Sequence, residues 1–89
     1  MDNIEIITSE LLAGNISVQE VQRRLSVYLY SEGSKAEQVV SPNQIDSAIH
    51  ALDNELELVI FTTKKENQAE TVLVILDKAR QLVFSGFAL

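Results

Sequence analysis

The stretch Ser41–Phe84, SPNQIDSAIH ALDNELELVI FTTKKENQAE TVLVILDKAR QLVF, reads as two helical arms joined by a short turn. Ser41-Pro42 is a helix start, because serine caps orphan amides and proline is tolerated at the first helical position. Apolar residues then fall at Ile45, Ala48, Ile49, Leu52, Leu56, Val59 and Ile60. Steps of three, one, three, four, three and one follow the 3.6-residue period of a helix, not the alternation of a strand. After Lys64-Lys65-Glu66 the pattern restarts, with Asn67 as a cap and Glu70 three positions on, the spacing of a capping box. The second arm runs through Ala69, Val72, Leu73, Leu76, Ala79 and Val83, and Gly86 is placed to end it. The arms are expected over 42–65 and 67–84, packed as an antiparallel hairpin.

Two shorter helices precede them. Over 3–13, Ile4, Ile7 and Leu11 share a face, Asp2 and Glu5 sit near the positive end of the dipole, and Gly14 supplies a left-handed stop. Over 17–31, Ser17 with Glu20 spells another capping box, and Val18, Val21, Leu25, Tyr28 and Leu29 form one stripe. Residues 31–40 have turn composition at Glu32-Gly33-Ser34-Lys35 and no period after it, so they read as an irregular linker. The expected fold is therefore all-α, a four-helix bundle in a single domain spanning 1–89. One segment admits another reading. Residues 56–63 have the β-branched and aromatic content of a strand, which would make the chain α+β. No partner strand with alternating pattern is visible.

The totals restrict function. A chain of 89 residues, 46% hydrophobic and 22% charged, suits one ordered domain. There is no cysteine, hence no disulfide, thiolate metal site or thiol nucleophile. The N-terminus shows no basic patch followed by an apolar core, and the longest apolar run, Val72–Leu76, is far below the ~20 residues of a membrane span. A cytoplasmic location is expected. Thirteen acids against seven bases give a net charge of −6. Arg23-Arg24 and Lys64-Lys65 are isolated pairs set among acids, so a phosphate backbone is not an expected partner.

Helix four carries more apolar surface than the ~100° stripe a small bundle requires. Leu73, Val74, Ile75, Leu82, Phe84 and Phe87 are therefore the candidate interface, with a second copy of the chain as the expected partner. The alternative for these residues is a fully internal fourth helix.

His50 is the only histidine and shares a helix face with Asp46, Asp53 and Asn54. Three ligands on one helix face converge poorly on an ion, so no metal and no cofactor are expected. The segment His50-Ala51-Leu52-Asp53-Asn54-Glu55-Leu56, followed by Val59-Ile60-Phe61, resembles the H-box of histidine-kinase dimerisation domains. Residues 70–84 are similar to that family's second arm. The resemblance implies a phosphoacceptor role for His50 and pairing of two hairpins into a bundle. Ala51 stands where that family usually has an acid, and no proline follows Asn54. Against histidine phosphotransfer domains the comparison departs likewise, with Asp53-Asn54 in place of a lysine-glycine pair. Serine-hydrolase elbows and Gly-rich phosphate loops are missing. Paired acids such as Glu55 and Glu57 point to different sides of a helix. The residues read best as a small acidic protein that binds another protein and is no enzyme. A His50-centred phosphotransfer or anti-kinase module, and a structural or chaperone subunit of a larger assembly, are the alternatives.

Overall fold

A computed structural model describes residues 2–88. It contains four helices, α1 (Asn3–Leu12), α2 (Val18–Ala36), α3 (Pro42–Thr62) and α4 (Lys65–Phe84), and no strand among the described residues. The first three begin on the residues that chemistry favours. Asp2, Ser17 and Ser41 each accept the backbone N–H three positions on, from Glu5, Glu20 and Gln44, at 2.8, 3.1 and 3.2 Å. Pro42 opens α3, where its missing N–H costs nothing. The capping box at Ser17 is half made. The Glu20 carboxylate turns instead to Arg23 and Arg24, whose hydrogen bonds hold it down to about 2.

Two helices stop by the same device. In α1 the Gly14 N–H donates to Leu11 O and Asn15 N–H to Glu10 O; in α4 Gly86 N–H donates to Val83 O and Phe87 N–H to Leu82 O. Those paired bonds form a Schellman motif, which needs a left-handed residue after the cap, and Gly14 and Gly86 have φ of +76° and +65°. Phe87 also has φ of +65°, a conformation costing an L-residue ~1–2 kcal/mol. Its ring is buried in the core. Burial of a phenylalanine contributes about 2–3 kcal/mol, enough to hold the backbone there. Gln44 Nε2 donates to Phe87 O at 3.1 Å and ties the tail to the start of α3.

The helices form a ring, α1 against α2 and α4, and α3 against α2 and α4, with α2 and α4 also touching across it. Ile4, Ile7, Val21, Leu25, Leu29, Ile49, Leu56, Val72 and Leu76 meet in the centre, and no polar side chain is buried among the described residues. None of the helices is long and apolar enough to cross a membrane.

Three boundaries differ from the sequence reading. Helix α2 runs on to Ala36 instead of ending at 31, so the linker shrinks to residues 37–41. Gly33 is a packing residue inside the helix, not a turn residue. A Cβ there would lie 2.5 Å from Ile45 Cγ2, so the missing side chain lets α2 and α3 approach. The long third arm ends at Thr62 and the fourth begins at Lys65, with Lys64 as its cap and no side-chain hydrogen bond. Asn67 lies within the first turn and its N–H donates to Lys64 O. Residues 56–62 are helical, because Leu56 and Val59 reach the core at helical spacing, and α3 passes through Asp53-Asn54 without a break.

Candidate functional site

The six candidate interface residues divide between inside and outside. Ile75, Leu82 and Phe87 are buried in the core and face away from any partner. Leu73 is half-buried against the core. Val74 and Phe84 stand free, with 58% and 93% of their surface exposed. The helical wheel explains the division. Ile75, Leu82 and Ala79 share the inward side of α4, while Val74 projects from an adjoining flank, about 100° round from Ile75.

Sequence reasoning passed over the counterpart of Val74 on α3. Leu58 is 60% exposed and lines one groove of about 600 Å³ with Val74, Thr62, Thr71, Glu55 and Lys78. A smaller groove of about 260 Å³ continues along the same two helices, lined by Ala48, Ala51, Leu52, Lys78, Gln81 and Leu82. Lys78 belongs to both and its Nζ meets Glu55 Oε1 at 2.7 Å. The outer face of the hairpin is thus a furrow with one ion pair near its middle and exposed Leu58 and Val74 to one side. The signal lay in the spacing. Ala48, Ala51, Glu55, Leu58 and Thr62 step by three and four along α3, and Thr71, Val74, Lys78 and Gln81 do so along α4. Those are the steps of a helix–helix seam.

The opposite flank of α3 is polar. Gln22, Ser26 and Tyr30, one turn apart on α2, reach across to it. Gln22 Nε2 donates to Glu57 Oε2 at 2.8 Å, Ser26 Oγ to Asp53 Oδ1 at 3.5 Å, and Tyr30 Oη to Asp46 Oδ1 at 2.7 Å. The bond to Asp46 pushes the Tyr30 phenol up, and desolvation adds to it. Tyr28, on the α1 side, is raised chiefly by burial. His50 is 64% exposed on this flank, with Nε2 3.4 Å from the same Asp46 Oδ1. Asp53 is engaged by Ser26 and does not join it. Among the described residues no three His, Cys, Asp or Glu side chains gather as a metal site would require. The imidazole is accessible, but its one close partner is a carboxylate already holding a tyrosine.

A third groove, about 400 Å³ between α1 and α2, has exposed Ile6 and Val27 with Arg23, Arg24 and Lys35 around them. Its cations are answered by Glu20 and Glu32, at 2.9 Å for Arg24 and 3.0 Å for Lys35. The hairpin furrow is lined by one cation, Lys78, where this groove is lined by three.

Comparison with protein-family models, curated proteins and solved structures finds no match to this chain.

Proposed function

We propose that this chain is a small acidic regulatory protein that works by binding other proteins, not by catalysis, and that it acts as a homodimer joined through the outer face of the α3–α4 hairpin. The observation that carries the reading is the pair Leu58 and Val74, two large apolar side chains exposed in one groove. Single exposed apolar residues are ordinary on any surface; adjoining ones on a furrow between two long helices favour a helix-packing contact. The acids support the second half of the reading. Helix α3 carries no Lys or Arg, and its Asp46, Asp53 and Glu57 lie on the α2 side, so once the hairpin face is covered the α2–α3 flank offers a negative surface to a basic partner.

The test is the solution mass by light scattering over a hundredfold dilution. A dimer that dissociates on dilution supports the reading. A monodisperse monomer throughout would remove self-association. A second reading, phosphoryl acceptance by His50, is favoured by its exposed imidazole beside Asp46. Acid-labile phosphate from acetyl phosphate on the wild type, absent from His50→Gln, supports it; absence from both excludes it for that donor.

A further inference from the structure

We propose that the two hairpins pair about a twofold axis running along their helices, so that α3 of each copy lies over α4 of the other and Glu55 meets the partner's Lys78. This rests on the homodimer reading and specifies its geometry. Identical subunits joined by one closed contact are related by a twofold axis, and for two faces that axis lies in the plane of contact. For a two-helix face it runs either along the helices or across them. Placed across at mid-height, where the two faces overlap most and where Glu55 and Lys78 lie, it sets α3 on α3 and brings Glu55 near Glu55 of the partner subunit and Lys78 near Lys78 of the partner subunit. Placed along, it keeps every level of the hairpin and exchanges the two helices.

Glu55 and Lys78 occupy one level, since their side chains meet at 2.7 Å. The lengthwise axis therefore builds a square of four charges in which each Glu has a Lys on both sides. The crosswise axis builds like-charge pairs, and like charges facing each other across an interface oppose association. Charge complementarity selects the first arrangement. The apolar levels agree with it. Leu58 and Val74 line the same groove, so Leu58 of one copy falls on the partner's Val74 and the four side chains close a single layer. On the other side of the square, Ala48 and Ala51 stand over Leu52 and Leu82, and their small side chains let the helices come close. All adjacent helices in the resulting four-helix contact are antiparallel, the usual bundle arrangement.

The size of the face sets the strength. Helices of 21 and 20 residues are about 30 Å long, and two side by side present a face roughly 20 Å wide. Two copies would bury on the order of 1,200 Å², the lower end for specific contacts, so the dimer is concentration-dependent.

The chain has no cysteine, which makes introduced thiols unique reporters. Leu58→Cys mixed with Val74→Cys, treated with a short bis-maleimide, is expected to give crosslinked dimers, while Ala51→Cys mixed with a mass-tagged Leu58→Cys gives no product joining the two variants. Glu55→Lys mixed with Lys78→Glu is expected to associate at least tenfold more tightly than either variant alone, with circular dichroism confirming that each is helical. Crosslinking of the 51–58 mixture in place of the 58–74 mixture would overturn this geometry and leave the homodimer standing. So would the absence of any product from the 58–74 mixture when the wild type is a dimer. A wild type that stays monomeric at millimolar concentration would overturn both.

Discussion

Gly33 shows how one missing methyl decides where a helix can go. Glycine inside a helix costs ~1 kcal/mol relative to alanine, so propensity alone says that Gly33→Ala should stabilise α2. The neighbouring atom says otherwise. The new Cβ would fall 2.5 Å from Ile45 Cγ2, a branch methyl fixed directly to Cβ and unable to swing aside. Overpacking of this kind costs ~1–3 kcal/mol against that ~1 kcal/mol gain, so a net loss of up to about 2 kcal/mol is expected by denaturant unfolding. Ile45→Ala removes that methyl, and in its background Gly33→Ala should be neutral or stabilising. A gain in the wild-type background would show that α2 and α3 separate freely. Glu20 offers a second test on a single group. Hydrogen bonds from Arg23 and then Arg24 hold its carboxyl at about 2, against 4.5 unperturbed. Its pKa is lowered by folding, so the stability it supplies is present above pH about 4.5 and is lost as pH falls through about 2. Its carboxyl resonance should titrate near 2 at low salt and move upward as salt screens the exposed guanidinium of Arg23. An unchanged midpoint near 4.5 at low salt would mean the two arginines do not hold it.

Element by element, what the sequence made legible follows from which signals are local. Caps at Ser17 and Ser41 and the glycine stops at 14 and 86 depend on a few adjacent residues, and each was readable in the order of the chain. The end of α2 was not. Glu32-Gly33-Ser34-Lys35 has the composition of a turn, and the residue Gly33 packs against, Ile45, lies twelve residues beyond it on another helix. The start of α4 failed for a similar reason. Asn67 with Glu70 fits a capping box, yet the chain turns earlier, and Gln68 Nε2 donates to Thr63 O at 3.1 Å to close the end of α3. That leaves Lys64 as the cap of α4, with no oxygen to offer and a positive charge at the positive end of the dipole. Lys64→Asp should therefore stabilise the fold by about 0.5–1 kcal/mol, by supplying an acceptor and reversing the charge. Thermal unfolding measures it, with Lys65→Asp as the control for charge without a cap. Equal shifts for both would assign the gain to charge alone.

At the scale of the whole molecule, the interior was easier to foresee than the exterior. A core is written in period and hydrophobicity, and Ile45, Ile49, Leu52, Leu56, Val72, Leu76 and Ala79 all reached it as their spacing demanded. A surface has no such rule. Surplus apolar residues on α4 pointed to an interface, but three of the six face inward, and Leu58, the exposed apolar residue of α3 in that furrow, was hidden within a run resembling a strand. Adjacent residues therefore have opposite roles, and a pair of substitutions separates them. Ile75 is buried in the centre of the bundle, where a glutamate would have no partner, so Ile75→Glu should abolish cooperative unfolding or lower stability by several kcal/mol, as burial of an unpaired charge does. Val74 is 58% exposed, and Val74→Glu should leave the helical spectrum intact and cost the monomer about 0.5 kcal/mol or less. In the dimer the same glutamate is buried in the Leu58–Val74 layer and competes with Glu55 for Lys78, so the dissociation constant should rise at least tenfold. Circular dichroism and light scattering on both variants read the two effects independently. If Val74→Glu keeps both its fold and its dimer, the furrow between α3 and α4 is not where the copies meet. If it unfolds with Ile75→Glu, the outer face of α4 is part of the core after all.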